Sequence, residues 1–283
     1  MSVSESEAMP ELPETETIAR DLDRELRGRT IVLVVVRRPD VLREVTGPEL
    51  ASRTVGCAIE RCWRRAKLVV IGLSSDDRLV VQPRFTGALL LWRGPLPDRE
   101  AAYSTLHFTL DDGRDLHYRD IRRLGTVSLM SPEQFAAYDS ALGVEPLDPA
   151  FTTAHLSGIL RGSRQAVKKV LMDQRAVVGI GNIYANEACW RAGVDPSRMA
   201  REVTEAETTA LHDGITSVLT DSIAARGTSF RDYVDASGGK GAFERSLAVY
   251  GRGGEPCLRC GVRLVETHAI DGRTTVLCVQ CQR

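Results

Sequence analysis

The sequence predicts an α+β protein of several domains, in which an N-terminal β-sandwich with flanking helices precedes a helical domain and a small C-terminal hairpin with four cysteines. Short Val- and Leu-rich runs separated by turn residues fill residues 30–118, and helical spacing of apolar residues takes over after about residue 142. Two Cys-x2-Cys pairs close the chain. The 283 residues, 43% hydrophobic and 27% charged, suit about two globular domains with their own cores.

The N-terminal part begins with a helix and continues in strands. Residues 1–9 are polar and lack an apolar period, which predicts a disordered leader, so order begins at Pro10. Ile18, Leu22 and Leu26 then recur at i, i+4 and i+8, and Gly28 follows, as expected for a helix that ends at a glycine. Strands are predicted at residues 30–36, 67–73, 78–82, 88–92, 105–110 and 115–118.

The second half of the chain predicts helices. We expect them at 152–160, 163–172 and 182–192, and a longer one that opens with the capping box Thr204-x-x-Glu207. The apolar stripe of this last helix is Leu211, Ile215, Leu219 and Ile223. A glycine-rich loop at 237–243, whose structure the pattern leaves open, then leads into the cysteine-rich segment.

The cysteine pairs predict a metal site. Cys257 and Cys260 are separated by two residues, as are Cys278 and Cys281, and the seventeen residues between the pairs can form a β-hairpin that brings the pairs together. Four unrelated thiols or two disulfides are the alternatives, but this spacing is typical of a zinc ribbon. Four cysteine ligands leave no open position for a reacting water, so we expect one structural Zn²⁺.

Composition also restricts the compartment. Of seven cysteines, three remain after the metal site is assigned, and an odd remainder suits a reducing compartment better than a disulfide framework. The longest apolar run near the start, 31–36, is far too short to span a bilayer, and no secretory leader precedes it. We therefore expect a cytoplasmic protein without a membrane partner.

The charge distribution favours a nucleic-acid partner although the net charge is only −1. Basic residues form three clusters: Arg61, Arg64, Arg65 and Lys67; Arg119, Arg122 and Arg123; and Arg161, Arg164, Lys168, Lys169 and Arg175. A single charge cluster is usually a solvated face, but three clusters in a chain with a zinc ribbon point towards phosphate binding.

A Gly-x-Gly segment directly before a predicted helix indicates an anion site. Gly179 and Gly181 permit close backbone approach, and the first amides of the helix at Asn182 add the positive end of its dipole. The alternative is an ordinary loop in which Asn182 is the N-cap. Lys168 and Lys169, one helix earlier, favour a DNA phosphate as the anion.

Several motifs together resemble the formamidopyrimidine-DNA glycosylases. They are MPELPETET at 9–17, RRAK at 64–67, Y-x-D-x-R-R-x-G at 118–125, LMDQ at 171–174, VGIGNIYANE at 178–187 and VYGR at 249–252 before the cysteines. The resemblance runs in order from Pro10 to the C-terminus. It implies a catalytic β-sandwich domain at 10–140, a helix-two-turn-helix domain at 141–245 with a lesion-capping loop, and a zinc finger at 246–283. A monomer in the bacterial cytoplasm or nucleoid, acting on double-stranded DNA with oxidised bases or abasic sites, is the implied context.

The resemblance also implies a chemistry. Family members excise oxidised purines and cleave the abasic strand through a Schiff base on an N-terminal proline, here Pro10. A terminal proline amine has a pKa of roughly 8, so part of it is nucleophilic at neutral pH. Glu11 corresponds to the general acid or proton shuttle, and Lys67 to the lysine that holds a phosphate beside the lesion. Taken singly, each residue also has a structural explanation, such as a helix start, a dipole partner or a strand-edge charge.

DNA contacts follow from the same comparison. Phe85, Arg122 and Leu124 occupy the three wedge positions, where Phe85 replaces the usual methionine and Leu124 the usual aromatic residue, so stacking on the opposite base is expected to be weaker. Core packing is the alternative role of Phe85 and Leu124. The resemblance further implies Asn182 and Arg273 on phosphates and Lys240 with Gly241 in the capping loop; the other candidate contacts are Gln82 and Arg123 near the wedge and, from its charge, Lys168 on a phosphate. Arg273 is also implied in catalysis, and Leu12 with the full-length loop favours the oxidised-purine branch.

The residues ahead of Pro10 leave two function classes open. If translation starts at Met1, the Pro10 nitrogen is acylated and cannot form a Schiff base, whereas a start at Met9 followed by methionine removal exposes it. We favour the second case and a glycosylase with lyase activity. The alternative is a catalytically silent damaged-DNA-binding protein of the same fold, and a generic zinc-ribbon DNA binder ranks last because it leaves Pro10, Glu11 and Lys67 unexplained.

Overall fold

A computed structural model gives the structure of residues 10–229 and 233–283. The predicted disordered leader and the candidate start at Met9 lie outside these described residues. Within the described ranges, no helix is both long enough and apolar enough to cross a membrane.

The described residues form helices and strands in the predicted order. The α-helices are α1 Leu12–Leu26, α2 Gly47–Thr54, α3 Asp98–Ala101, α4 Pro132–Ser140, α5 Thr153–Arg161, α6 Val167–Leu171, α7 Asn182–Ala192 and α8 Glu205–Ala224. The strands are β1 Ile31–Val36, β2 Leu42–Arg43, β3 Ile59–Arg65, β4 Leu68–Leu73, β5 Arg78–Gln82, β6 Gly87–Arg93, β7 Ser104–Leu110, β8 Arg114–Asp120, β9 Thr126–Met130, β10 Val265–Thr267 and β11 Thr275–Leu277.

A β-sandwich makes up the first half of the protein, which confirms the predicted fold class. One sheet has the order β1-β7-β8-β6 and the other the order β2-β9-β5-β4-β3. All six predicted strands are present within two residues of their expected ends. Strands β2, β3 and β9 were not predicted. Charged residues occupy much of β3, and a register shift between Ile59 and Arg61 interrupts the alternation that would have marked it.

The register of these strands gathers three turns at one edge of the sandwich. Val69 pairs with Val81 and Gln82 with Thr126, so the β3–β4 turn, the β5–β6 loop at 83–86 and the β8–β9 loop at 121–125 lie at the same end of the five-stranded sheet. In the β1-β7-β8-β6 sheet Gly87 pairs with Asp120, so the 83–86 and 121–125 loops are also neighbours at the edge of that sheet. This edge carries several of the residues predicted to contact DNA.

The helical half packs around its own core. Helix α7 lies against α8, and the predicted stripe is confirmed, with Leu211, Ile215 and Leu219 fully buried and Ile223 partly buried. The prediction of a helix at 163–172 was wrong for its first part, since α6 contains only Val167–Leu171. The backbone before α6 instead bonds to the segment that follows α7: the Gln165 carbonyl accepts from the Ala200 amide at 2.9 Å.

Arginines on β3 connect the sandwich to the chain that enters the helical half. The Arg64 guanidinium is 2.8 Å from Glu16 and 2.6 Å from Glu145. Arg65 pairs with Asp139 and also with Glu145, at 3.0 Å from the latter. The expected role of this basic cluster in phosphate binding therefore does not hold for Arg64 and Arg65, because their charges are paired within the protein.

Helix α1 belongs to both cores. Ile18, Leu22 and Leu26 pack in the sandwich, whereas Leu12 packs in the core of the helical half. Near its N-terminus Glu14, which is 1% exposed, accepts hydrogen bonds from the Tyr184 hydroxyl and from the Thr228 amide at 2.7 Å. A buried carboxylate thus ties α1 to α7 and to the chain after α8.

We expect this contact to make stability depend on pH. Burial raises the pKa of Glu14 from 4.5 to about 7, so folding favours its protonated form. Its contribution to the free energy of unfolding is complete below pH 4.5 and is lost as the pH rises to 7, by about 3 kcal/mol. The difference in unfolding free energy between wild type and Glu14→Gln, measured by denaturant titration, should shrink over this range. Glu25→Gln is the control. Because Arg114 lowers the pKa of exposed Glu25, this carboxylate does not cause the loss of stability above pH 4.5, and the variant should show the same pH dependence of the unfolding free energy as the wild type.

Candidate active site and nucleic-acid interface

The Glu11 carboxylate caps the N-terminus of α7. Its Oε2 accepts from the Gly181 amide at 2.6 Å and its Oε1 from the Ile183 amide at 2.9 Å. These are two of the amides that have no partner within the helix itself. An anion does lie at this helix end, as the Gly-x-Gly pattern predicted, but in this structure it is Glu11. Gly181 is the N-cap and Asn182 the first helical residue, contrary to the alternative in which Asn182 is the cap.

Two glycines make this approach possible. A Cβ at Gly181 would lie 2.4 Å from the Glu11 carboxyl carbon and 2.5 Å from the Lys67 Nζ. Gly179 has a φ of +81°, and a Cβ there would lie 2.7 Å from Leu12. The Gln174 side chain holds the intervening loop by accepting from the Gly179 amide at 2.8 Å and donating to the Ile180 carbonyl at 2.9 Å. Gln174 is the last residue of the LMDQ motif at 171–174, and no local pattern indicates this role.

Lys67 reaches the same point from the β3–β4 turn. Burial raises the pKa of Glu11, while Lys67 and the backbone amides at the N-terminus of α7 lower it. Burial lowers the pKa of Lys67, Glu11 opposes that shift, and Arg273 adds to it. Both shifts have the direction that desolvation of a charged group produces. Glu11 is therefore a stronger proton acceptor than an ordinary glutamate and can act as a general acid.

Arg273 and Asn182 complete the cluster from two further elements. Arg273 is exposed in the turn between β10 and β11, where Asp271 and Gly272 have positive φ. The buried Oδ1 of Asn182 lacks a hydrogen-bond partner in the described structure, so the α7 terminus retains an unused polar side chain. Lys67, Arg273 and the helix dipole make this region suitable for an anion.

Pro10 is buried directly before Glu11, at the start of the chain that the structure describes. The Glu11 amide donates to Glu14 at 2.9 Å, and the Leu12 amide donates to the Gly179 carbonyl at 3.0 Å. These bonds hold the chain on both sides of the Glu11 side chain. The position of Pro10, the residue directly before Glu11, is therefore determined by α1 and the glycine loop.

The wedge candidates lie in loops, so core packing does not explain them. Phe85 is half-buried in the 83–86 loop, and the Arg122 guanidinium is 5.3 Å from the centre of its ring. The Arg122 amide donates to Thr86 at 3.0 Å. Leu124 is 40% exposed in the 121–125 loop. Paired strands thus bring together side chains that are almost forty residues apart in sequence.

The neighbouring predicted contacts have different surroundings. Gln82 ends β5, and its side chain is 3.4 Å from Arg84. Arg123 is paired with Asp40 at 2.8 Å on the surface. Lys240 is exposed in the 237–243 loop, and the Gly241 amide of this loop donates to the Ser229 side chain at 2.9 Å.

Lys168 does not face an open groove, which corrects its predicted phosphate contact. It is completely buried, and its Nζ donates to the Thr274 carbonyl at 2.7 Å and to the Thr275 hydroxyl at 2.8 Å. Asn186 assists by accepting from the Val276 amide at 2.8 Å. Both residues therefore hold the hairpin that carries Arg273. A lysine near a basic cluster gives no sequence signal for such a role.

The four predicted cysteine ligands come together. The sulfur atoms of Cys257, Cys260, Cys278 and Cys281 all lie within 4.8 Å of one another. Strands β10 and β11 pair between the two cysteine pairs, as the spacing predicted. Gln282 docks this unit on the helical half by donating to the Val194 carbonyl at 3.0 Å. Four converging sulfur atoms at this separation can hold one metal ion.

Comparison with known proteins gives a consistent result. The chain matches the family model of the formamidopyrimidine-DNA glycosylase N-terminal domain over residues 9–127 and that of the formamidopyrimidine-DNA glycosylase H2TH domain, the helix-two-turn-helix domain, over 142–234. It is 41% identical to the formamidopyrimidine-DNA glycosylase of Carboxydothermus hydrogenoformans over 97% of this chain and 100% of the relative.

Solved structures agree with this match. Wild-type Lactococcus lactis Fpg in complex with N7-benzyl-Fapy-dG DNA superposes with a TM-score of 0.89 at 31% identity, covering 97% of this chain and 100% of that one. The complex of Lactococcus lactis Fpg with abasic-site DNA also gives a TM-score of 0.89 at 31% identity, covering 96% and 99%. The capped α7 terminus, the cysteine hairpin and full-length similarity lead to one conclusion: the chain belongs to the formamidopyrimidine-DNA glycosylase family.

Proposed function

We propose that this protein is a bifunctional DNA glycosylase and abasic-site lyase that removes oxidised purines, such as 8-oxoguanine and formamidopyrimidines, from double-stranded DNA. The observation that carries the proposal is the convergence of Glu11, Lys67, Asn182 and Arg273 beside Pro10. Related proteins have been solved with Fapy-dG DNA and with abasic-site DNA. A DNA substrate also accounts for the positive charge at this point, and a cytoplasmic location is part of the proposal because the substrate is DNA.

Pro10 is the proposed nucleophile. As a terminal secondary amine it attacks C1′ of the damaged nucleotide and the bond from C1′ to the base breaks; the base leaves with that electron pair and takes up the proton that the proline nitrogen loses. Glu11 protonates the deoxyribose ring oxygen as the ring opens, which leaves an iminium between Pro10 and C1′. The iminium accepts electrons during β- and δ-elimination of the flanking phosphates. Hydrolysis then frees the proline.

The raised pKa of Glu11 suits this step. Desolvation makes its carboxylate more basic than an ordinary glutamate, while the Gly181 and Ile183 amides keep it oriented. A group that must take up and deliver a proton works best with a pKa nearer to neutrality. Its neighbour Lys67, with Asn182 and Arg273, would hold the phosphates that flank the lesion.

The 83–86 and 121–125 loops at the edge of the sandwich would displace the damaged base from the duplex. Removing a base from the stack costs a few kcal/mol, which side chains filling the gap offset in part. Phe85 and Arg122 already contact each other, so they can enter the duplex as one preformed unit. Leu124 offers an apolar but not an aromatic surface, so we expect weaker discrimination of the opposite base. Gln82 and Arg123 flank this unit, and Lys240 with Gly241 would cover the everted base.

One structural Zn²⁺ is proposed for the cysteine site. The four thiolates of the cysteine cluster would complete the coordination of this ion, which would then stabilise the hairpin and offer no open catalytic position. The hairpin that it holds carries Arg273, and Lys168 and Asn186 dock that hairpin on the helical half. Zinc therefore contributes to DNA binding through the placement of Arg273.

The second candidate is a damaged-DNA-binding protein without catalysis. It applies if residues 1–9 are retained, because the Pro10 nitrogen is then an amide with no available lone pair. The N-terminal family model matches from residue 9, the methionine directly before Pro10, which favours the enzyme. The two candidates predict the same DNA affinity and different covalent chemistry.

Borohydride trapping distinguishes these candidates, since borohydride reduces an iminium to a stable amine. Protein that begins at Pro10 should become covalently attached to DNA containing 8-oxoguanine or an abasic site. Protein forced to retain residues 1–9 should bind the same DNA with similar affinity and trap poorly, as measured by gel electrophoresis. Equal trapping by both forms would exclude Pro10 as the nucleophile, and Lys67 would be the next amine to test.

Replacing Glu11 separates base removal from strand cleavage. In a Pro10-started protein, Glu11→Gln should reduce 8-oxoguanine excision by roughly a hundredfold or more, because it removes the general acid. Cleavage of a preformed abasic site should fall much less, since no base has to depart. Single-turnover rates on the two substrates measure this, and binding to a tetrahydrofuran duplex checks that the site is still assembled. Equal losses on both substrates would contradict the assigned role.

Metal removal should affect DNA binding before it affects the fold. Purified protein should contain one zinc, and chelation or Cys260→Ala should abolish binding to lesion DNA, because the hairpin is too small to keep its shape without metal. The circular dichroism of the sandwich and helical core should persist. Cys57→Ala, which alters a half-buried thiol outside the metal cluster, should retain both zinc and DNA affinity. Normal affinity in the Cys260→Ala protein would refute the role of zinc.

A further inference from the structure

Two histidines and an aspartate share the outer face of the β1-β7-β8-β6 sheet. His107 on β7 pairs directly with His117 on β8, and Asp115 precedes His117 by two residues. Since side chains alternate along a strand, all three point to the same side. The intervening Leu106, Phe108 and Leu116 lie in the sandwich core, so this side is the one that faces away from it.

The three side chains form a compact group. The ring centres of His107 and His117 are 5.0 Å apart, and the His117 Nε2 is 3.9 Å from an Asp115 carboxylate oxygen. The Ser104 hydroxyl lies 3.1 Å from the other ring nitrogen of His117, Nδ1. A hydrogen bond on one ring nitrogen commonly orients the other towards a metal ion.

Three buried polar atoms of this group have no hydrogen-bond partner in the described structure. In the described structure six buried side-chain atoms lack a partner, and three of them are His117 Nε2, His107 Nδ1 and Asp115 Oδ1. His117 is only 6% exposed, so water does not readily replace the missing bond. Leaving one buried polar atom unsatisfied costs about 1–3 kcal/mol, and three in one group call for a ligand that all of them can bind.

The electrostatics favour a cation that accepts imidazole nitrogen. Burial lowers the pKa of His117 to about 4 and also lowers that of His107, so both rings are neutral and carry free lone pairs. Asp115 provides the negative charge. Arg37 is the opposing positive charge near both histidines, and it is exposed at the end of β1, where solvent screens it.

We propose that His107, His117 and Asp115 bind one divalent transition-metal ion, such as Zn²⁺, on the outer face of this sheet. Two imidazoles and one carboxylate are a common donor set for such ions and leave a position for water. Among the described residues only the four cysteines already have every donor atom within 4.8 Å of the others. The donor atoms of His107, His117 and Asp115 do not all lie within that distance, so their side chains would have to move together to bind an ion, and we expect a weaker site than the cysteine site.

A bound ion would cross-link β7 to β8. Strand β8 runs directly into the 121–125 loop, which contains Arg122 and Leu124. Metal binding would thus stiffen the base of the wedge loop without touching DNA. This site does not depend on the proposed enzymatic activity.

Cobalt titration of the protein that already holds one zinc tests the site. We expect one further equivalent of Co²⁺ to bind, with visible d–d absorption and without the near-ultraviolet thiolate band that cobalt would show at the cysteines. His107→Ala and Asp115→Asn should each weaken this binding by roughly tenfold or more, and Ser104→Ala by about tenfold through loss of ring orientation. His155→Ala changes an exposed histidine on α5 and should leave the titration unchanged.

Folding is checked separately from metal binding. Each variant should retain one zinc and wild-type affinity for abasic-site DNA, because none of the altered residues lies in the site around Glu11. Absence of saturable cobalt binding at millimolar concentration would overturn the proposal. Unchanged binding in both His107→Ala and Asp115→Asn, or a thiolate band accompanying the second equivalent, would also overturn it.

Discussion

The cap that Glu11 places on α7 is the constraint on which the functional arrangement depends. A fully buried carboxylate is tolerated only if its oxygens are satisfied, and here the Gly181 and Ile183 amides satisfy them. Those amides come from the helical half, whereas Glu11 comes from the helix that completes the sandwich core. These hydrogen bonds therefore fix how the two halves pack against each other, and Lys67 reaches the same contact from the β3–β4 turn.

Other buried polar groups position the remaining parts in the same manner. Glu187 on α7 accepts from the three successive amides of Ala248, Val249 and Tyr250 at 2.8–2.9 Å, and so fixes the chain that enters the cysteine hairpin. Lys168 holds the far side of that hairpin. Because an unsatisfied buried charge is costly, each contact specifies one arrangement and excludes neighbouring ones. Arg273 owes its position to residues that are distant from it in sequence.

Much of the architecture was predictable because its signals are local. The six strands, helix α7 with its glycine end, the capping box of α8 and the cysteine hairpin all follow from the order of residues within a short window. Strand β3 was missed because its charged residues and register shift hide the alternation. The first residues of 163–172 were misassigned because their backbone bonds to the segment after α7, which local propensity does not reveal.

The sequence by itself determined the fold class, the cysteine ligands and the set of residues that resembles a formamidopyrimidine-DNA glycosylase. Only the tertiary structure decided which of the charged residues remain available. Lys168 and Lys67 both lie in basic clusters of the sequence. The Lys168 ammonium is hydrogen-bonded to the Thr274 carbonyl, whereas the Lys67 ammonium lies beside Glu11. It also decided that the anion at α7 is Glu11 itself. Burial and partners set the role of a charged group, and both arise from contacts between segments that are far apart along the chain.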